Sequence, residues 1–252
     1  MITPEAIYAA IDATWPAARV YSHGPWMLRE GRGGGKRVSA ATVVDAPVAA
    51  DLATAENAMR ALGQRPLFMI RSTDAALDGV LSDRGYEVID PVNVYVTDTS
   101  LLTNRPIPPV TAFAIWEPLA IMTEIWAKGG IGARRLDVMH RARQKTAILA
   151  RWNEKPAGTA FVALHERIAM VHAVEVLKHQ RRQGVAGWIM RAAGQWAAQN
   201  AQNRSQFCAQ MQTRLRTRFI NSWVFASSAV IITVKTRRIH DRPANRPRSA
   251  DG

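Results

Sequence analysis

The stretch that decides the fold is Val174-Glu-Val-Leu-Lys-His-Gln-Arg-Arg-Gln-Gly-Val-Ala186, which leads from a predicted strand into a predicted helix. Apolar residues over 168–176 predict the strand, and an apolar face over 187–199 predicts the helix. The start of a helix has free backbone N–H groups. Between the two elements, the glycine lets a ligand approach the main chain closely, and the arginines supply positive charge. The segment therefore predicts a site for a phosphate group, with an ordinary basic turn as the alternative.

The elements before this stretch are predicted in a fixed order. A strand is followed by two helices, which are separated by glycines, and then by three strands joined by short turns. Three consecutive strands with short turns predict an antiparallel meander. The predicted bounds are Thr111–Trp116, Pro118–Lys128, a helix ending near Arg141, Thr146–Trp152, Gly158–Leu164 and Ile168–Val176.

The segment Arg-x-x-Gly-x-Ala at Arg181–Ala186 resembles the pyrophosphate-binding signature of the GNAT acyltransferases, (Q/R)-x-x-G-x-(G/A). Residues 111–199 also follow that family's order of strand, two helices, three antiparallel strands, signature loop and long helix. The resemblance implies an α/β GNAT (acyl-CoA N-acyltransferase) fold. It implies an acetyltransferase that moves an acetyl or short acyl group from acetyl-CoA to a primary amine of a small molecule or a protein.

The resemblance also implies where acetyl-CoA, the co-substrate, would bind. Its pantetheine would lie beside the main chain of Val174 to Val176. Its pyrophosphate would lie on the loop and on the first turn of the helix. The loop residues are Arg181, Arg182, Gln183, Gly184, Val185 and Ala186.

Two catalytic candidates lie on the strand before the loop, Glu175 and His172. In a regular strand they would point to opposite faces, but one bulge between them would bring both to the same cleft. Glu175 is the better candidate for the base, because an ammonium group must lose a proton before it attacks a thioester. The alternatives are an ion pair between Glu175 and a loop arginine, and a structural role for His172.

The N-terminal part of the chain predicts an α/β unit over residues 1–103, joined by a proline-rich linker, 104–109, to a GNAT domain over 110–203. The helix, glycine and aromatic strand around Gly85 resemble the end of a GNAT unit, which predicts a tandem fold with a degenerate first copy; the alternative is a chance similarity of two helix–strand junctions. The glycine-rich segment 31–36 departs from the P-loop pattern and predicts a flexible hairpin between strands at 26–29 and 37–44.

The sequence after Gln199 departs from the family, because the expected strand, helix and final hairpin are not recognisable there. In a second reading frame the codons of Trp223 and Val224 must encode glycine, and 218–235 can then read LYQLLGFRVVGRYHYRK. That run resembles the family's missing C-terminal segment. We therefore expect a frameshift between about Ala198 and Phe207. Residues 204–252 would then be an out-of-frame basic tail, in which the apolar stretch 219–234, with its apolar run at 230–234, can pair as one strand. Activity would be impaired.

The composition fits a globular protein, with 48% hydrophobic and 21% charged residues. Residues 204–252 contribute +8 of the formal net charge of +13, so nucleic acid is not the expected partner. The rival interpretations are a CoA-binding remnant without activity and a basic nucleic-acid-binding module. Cys208 is the only cysteine, and no metal site or membrane span is predicted. A cytoplasmic location is expected, and the sequence allows a homodimer.

Overall fold

A computed structural model describes residues 2–44, 51–201, 206–212 and 230–237. The helices are α1 (Pro4–Thr14), α2 (Asp51–Ala61), α3 (Ala75–Asp83), α4 (Ser100–Thr103), α5 (Ala120–Lys128), α6 (Ala133–Arg141) and α7 (Val185–Asn200). The strands are β1 (Arg19–His23), β2 (Trp26–Glu30), β3 (Thr42–Val43), β4 (Phe68–Ile70), β5 (Tyr86–Asp98), β6 (Ala112–Ile115), β7 (Gln144–Trp152), β8 (Lys155–His165), β9 (Ile168–Val176), β10 (Gln206–Gln212) and β11 (Val230–Arg237).

Eight of the strands form one continuous sheet in the order β4-β11-β5-β10-β9-β8-β7-β6. The meander from β6 to β9 is antiparallel, as the sequence predicts, and β10 adds to β9 in parallel. On its other side β10 pairs antiparallel with β5, which comes from the N-terminal part of the chain. Strands of both halves therefore share one sheet, and the domain boundaries given above stay a prediction.

Helices cover both faces of the sheet because the strands bury side chains on both sides. On one face α7 packs through Val185, Ile189 and Ala193 on the even-numbered residues of β8. On the other face lie α1, α5 and α6, with Trp126 of α5 fully buried near Phe161 of β8. This second face carries the charged part of the site described below.

A smaller sheet of β1, β2 and β3 packs with α2 and α3 around the N-terminal end of the fold. Its centre is aromatic, since the ring of Phe68 contacts those of Trp26 and Tyr86 with centroids 5.2 and 5.5 Å apart. These contacts hold the N-terminal elements against the edge of the large sheet. The predicted helices and strands of residues 1–103 are confirmed, apart from the segment 19–44.

The segment 19–44 differs from the prediction in two ways. Strand β1 was not predicted, because its residues are mostly exposed and have no apolar run. The predicted strand over 37–44 is wrong for its first half, which forms one turn of 3₁₀ helix at Arg37–Ser39. The strand shortens because the segment 31–36 packs on α6, so only Thr42 and Val43 remain to pair with β2.

Strand β10 follows Gln199 at a place where no strand was recognised in the sequence. Three of the seven residues of β10 are glutamines and none is β-branched, but both edges of the strand are paired, by β9 and by β5, so main-chain hydrogen bonds hold it. The predicted pairing of 230–234 is confirmed, since β11 lies between β4 and β5. Lys235 of β11 is buried in an ion pair with Asp78, at 2.6 Å. The predicted absence of a helix falls on 213–229, outside the described residues.

Candidate functional site

A bulge divides β9 into two parts. His172 pairs with Phe161 of β8 and Glu175 pairs with Thr159, so two residues of β9 face the single Ala160 of β8. The first of the two, Ala173, has a φ of +52°. The extra residue reverses the alternation of side chains, which is the physical effect of a bulge. His172 and Glu175 therefore lie on the same face of the sheet, as the sequence analysis anticipated.

The bulge also separates β9 from β10. The two strands pair from Ile168–Gln206 to Val171–Ala209, and within their described residues the pairing ends there. Beyond that point β10 continues only along β5, as far as Gln212. The main chain of Val174 to Val176 thus borders an opening between two diverging parallel strands, where an extended ligand has access to backbone N–H and C=O groups.

The loop after β9 ends at the first turn of α7. Arg181 donates a hydrogen bond from Nε to the carbonyl of Val176, 3.0 Å away, and Gly184 precedes the helix with a φ of +79°. Residues 181–184 are exposed, and a Cβ built on Gly184 would have no atom within 4 Å. The first N–H groups of α7 therefore face open space beside two arginines, which is the arrangement that favours an anion.

Comparison with known proteins agrees with this geometry. Residues 114–217, from β6 through the strand beyond the long helix, match the sequence model of the Acetyltransferase (GNAT) family. Residues 114–217 form a GNAT acetyltransferase domain. The chain is therefore an enzyme of the acyltransferase class, whose domain transfers an acyl group from acyl-CoA to an amine.

Solved structures resemble the whole chain in fold. A GCN5-related N-acetyltransferase from Kribbella flavida superposes with a TM-score of 0.68 at 17% identity, covering 95% of this chain and 98% of that chain. A functionally unknown conserved protein from Staphylococcus epidermidis ATCC 12228 also gives 0.68, at 11% identity, over 94% and 98%. No curated protein matches in sequence. The N-terminal half is thus part of a fold that other proteins share.

Glu175 lies on the cleft side of the GNAT domain, against the C-terminal end of α5. A Cβ placed on Gly129 would lie 2.6 Å from Oε1 of Glu175, so the carboxyl group occupies space that only a glycine leaves open. Burial raises the pKa of the Glu175 carboxyl, and the charges of Arg181 and Arg135 oppose that rise. The negative end of the α5 dipole also favours the protonated form. The carboxyl group is half-buried and is suited to exchange a proton.

His172 lies deeper, between the GNAT domain's sheet and α1. It is 2% exposed, and its ring lies 5.1 Å from that of Trp15 and 6.3 Å from that of Phe161. Its Nε2 is 2.9 Å from the hydroxyl of Thr14, which donates its own proton to the carbonyl of Ala10. The hydroxyl oxygen therefore accepts a hydrogen bond from Nε2, and the imidazole anchors α1 to β9.

Two residues of the site were not predicted. Trp126 donates a hydrogen bond from Nε1 to the carbonyl of Ala173, at 2.8 Å, and so holds the bulge. Gly129 makes room for the Glu175 carboxyl. Both depend on how α5 packs on β9, which has no signal in the sequence. The described residues contain no group of three or more metal-ligating side chains and no helix suited to crossing a bilayer.

Proposed function

We propose that this chain transfers an acetyl or short acyl group from acetyl-CoA to a primary amine of a small molecule or a protein, with Glu175 as the base. The observation that carries the proposal is the bulge in β9. Because of the bulge, Glu175 lies on the same face of the sheet as His172, and β9 no longer pairs with β10 beyond Val171. This arrangement supports a site in which a thioester bound along β9 and an amine deprotonated by Glu175 would lie close together.

The residues present fit CoA. Exposed Arg181 and Arg182 and the first N–H groups of α7 surround the open space at Gly184, which supports the assignment of pyrophosphate to residues 181–186. The main chain of Val174 to Val176 would hold the pantetheine arm, and an N–H of this segment would bind the carbonyl oxygen of the acyl group. When bound, acetyl-CoA supplies the activated acyl group.

Glu175 would take the proton of the ammonium group. A carboxyl group with a raised pKa is a stronger base once it is ionised. Because the Glu175 carboxyl is partly buried, it is also shielded from bulk water near the place proposed for the acyl group. The proton moves from the nitrogen to a carboxylate oxygen, which leaves the nitrogen lone pair free for attack. Two opposing cations, Arg181 and Arg135, keep the ionised form accessible.

His172 is assigned a positioning role in this scheme. Its burial against Trp15 and its hydrogen bond to Thr14 direct it toward α1 rather than toward the opening. The family's usual acid for the departing thiolate is a tyrosine, which would lie in the second-frame sequence and not in this one. We therefore expect slow release of CoA, which agrees with an impaired enzyme.

The test is a thiol-release assay with acetyl-CoA and a panel of primary amines. We expect turnover that depends on the amine and that falls strongly in the Glu175→Gln variant, with CoA affinity retained by calorimetry. Binding of CoA without turnover on any amine would instead support a CoA-binding remnant. Binding of DNA in a salt-dependent manner, without CoA binding, would support the nucleic-acid alternative.

A further inference from the structure

Besides favouring the ionised form of Glu175, Arg135 is available for a second role at the site. Arg135 is exposed in the first turn of α6, six residues after Gly129, against which the Glu175 carboxyl packs, and its charge lowers the pKa of that carboxyl. Among the described residues it forms no ion pair, whereas its neighbour Arg134 faces Asp137 at 3.8 Å. A guanidinium group without a partner, next to the base, is available to a ligand.

The N-terminal half of the chain positions this guanidinium. A Cβ built on Gly35 would lie 3.4 Å from Nε of Arg135 and 3.7 Å from its NH2 nitrogen. The neighbouring Gly34 packs equally closely, since its Cβ would lie 2.5 Å from Val138 of the same helix. The glycine-rich segment 31–35 therefore lies against α6 and limits where the Arg135 side chain can go. Long side chains in this segment would fill that space.

The other cation near Glu175, Arg181, lies where the cofactor is proposed to bind. Arg181 lies in the loop that precedes α7 and already donates a hydrogen bond to Val176. Pyrophosphate bound at this loop would satisfy the charge of Arg181. Arg135, which belongs to α6 and not to the cofactor loop, would then be the remaining cation beside Glu175.

A polar group is also unsatisfied beneath Glu175. Thr159 pairs with Glu175 across the strands and is fully buried, and its hydroxyl has no hydrogen-bond partner in the described part of the chain. A buried hydroxyl without a partner costs free energy unless a ligand or water completes it. Thr159 therefore adds a buried polar group on the residue that pairs with Glu175.

We infer that the acceptor is an amine that also carries a carboxylate, and that Arg135 binds this carboxylate while Glu175 receives the proton of the ammonium group. The inference rests on the proposed function. A planar carboxylate matches the two parallel N–H donors of a guanidinium, and the amine of such a molecule lies a few bonds from its carboxylate. A neutral amine would leave Arg135 without a partner.

The test uses reaction products, because their binding does not require turnover. With CoA present, calorimetry compares N-acetylglycine, N-acetylalanine and N-acetyl-β-alanine with N-methyl-, N-ethyl- and N-propylacetamide, which lack the carboxylate. We expect at least one carboxylated product to bind about tenfold more tightly than its neutral counterpart, the effect of one charged hydrogen-bonded pair. Arg135→Gln should abolish the difference and Arg135→Lys should keep part of it.

Arg134→Gln is the matched control, because it removes the same charge from the next residue of α6. It should leave the preference for the carboxylated product within twofold. Equal binding of both product classes, no binding of any carboxylated product, or an unchanged preference in Arg135→Gln would overturn the inference. Loss of CoA binding in the parent chain would instead contradict the proposed function, and the product comparison is then made without CoA.

Discussion

Strands β9 and β5 both pair with β10, but only β9 leaves room for a ligand. β9 runs parallel to β10 for four residue pairs and then diverges at the bulge. β5 runs antiparallel to β10 for seven pairs, and β11 pairs along its other edge. The main-chain groups of Val92 to Val94 are therefore used on both sides, whereas those of Val174 to Val176 border the opening.

The difference shows that one inserted residue, and not the composition of the strands, creates the site. Both strands are rich in valine, and both lie within the same sheet. The bulge at Ala173 redirects β9, and Trp126 holds it there through the Ala173 carbonyl. β5 leaves no such opening, because it stays paired with β10, and its pairing supports the fold. The predictions that follow test this division.

The largest effect is expected from Val94→Asp in the middle of β5. Val94 is fully buried and paired on both edges, so an unpaired carboxylate there should destabilise the whole fold by about 3–5 kcal/mol. Denaturant unfolding and solubility measure the effect. Val88→Asp, on the same strand but 51% exposed, is the control and should change stability little. Similar stabilities for the two variants would contradict a central role for β5.

A second large effect is expected from Glu175→Gln on turnover. Removing a general base should lower kcat about a hundredfold and flatten the acidic limb of the pH–rate profile, with little change in CoA affinity. Glu166→Gln, in the exposed turn between β8 and β9, is the control for charge. An acidic limb that persists in Glu175→Gln would leave Glu175 with a structural role only.

A smaller loss is expected from Gly184→Val in the cofactor loop. The φ of +79° is unfavourable for a β-branched residue, and the side chain would fill the open space at the start of α7. Affinity for CoA should fall about tenfold or more. Gly63→Val, at a φ of +69° in the N-terminal half, has the same backbone strain and should leave CoA affinity unchanged. An unchanged affinity of Gly184→Val for CoA would contradict the assignment of the pyrophosphate to this loop.

His172→Ala separates a positioning role from a catalytic one. Loss of the buried ring and of its bond to Thr14 should cost about 2 kcal/mol in the free energy of unfolding. The pKa read from the acidic limb of the pH–rate profile should stay in place. His179→Ala, an exposed histidine of the following loop, is the control. A shifted or missing limb in His172→Ala would restore His172 as a catalytic candidate.

The smallest effect concerns the pH dependence of stability. Because the pKa of Glu175 is raised in the folded state, the folded protein holds that proton at pH values where the unfolded chain has lost it. The stability from this group is complete below the unfolded pKa, about 4.3, and is lost as pH rises through the folded pKa. In thermal denaturation, the Tm of Glu175→Gln relative to the Tm of the parent chain should therefore rise between pH 4 and 8. A constant difference in Tm would contradict the raised pKa.

Local patterns predicted the catalytic half well. The meander, the loop and α7 follow from apolar runs and turn residues within short stretches, and their bounds agree within a few residues. From the sequence, a bulge between His172 and Glu175 was only the condition under which both side chains would face the same cleft. The contacts that give it a function come from α5 and α6, and no local pattern encodes how helices dock. Trp126, Gly129 and Arg135 were therefore missed as parts of the site.

The sequence after Gln199 shows the limit of local patterns most clearly. β10 has few of the residues that favour strands, and its pairing depends on β9 and β5, which lie far away in the chain. The frameshift hypothesis stays a prediction. Sequencing the gene across codons 195–210 tests it directly. A repaired chain should gain solubility, Tm and turnover together, and no gain in any of them would contradict the frameshift.

The double pairing of β5 sets an order of events during synthesis. β5 emerges from the ribosome early, whereas its partners β10 and β11 are translated last. Until then a long, valine-rich strand has both edges exposed, a state prone to edge-to-edge aggregation. Contacts between such distant segments also slow folding. Until β10 and β11 have been made, the edges of β5 would be covered only by temporary pairing or by other proteins.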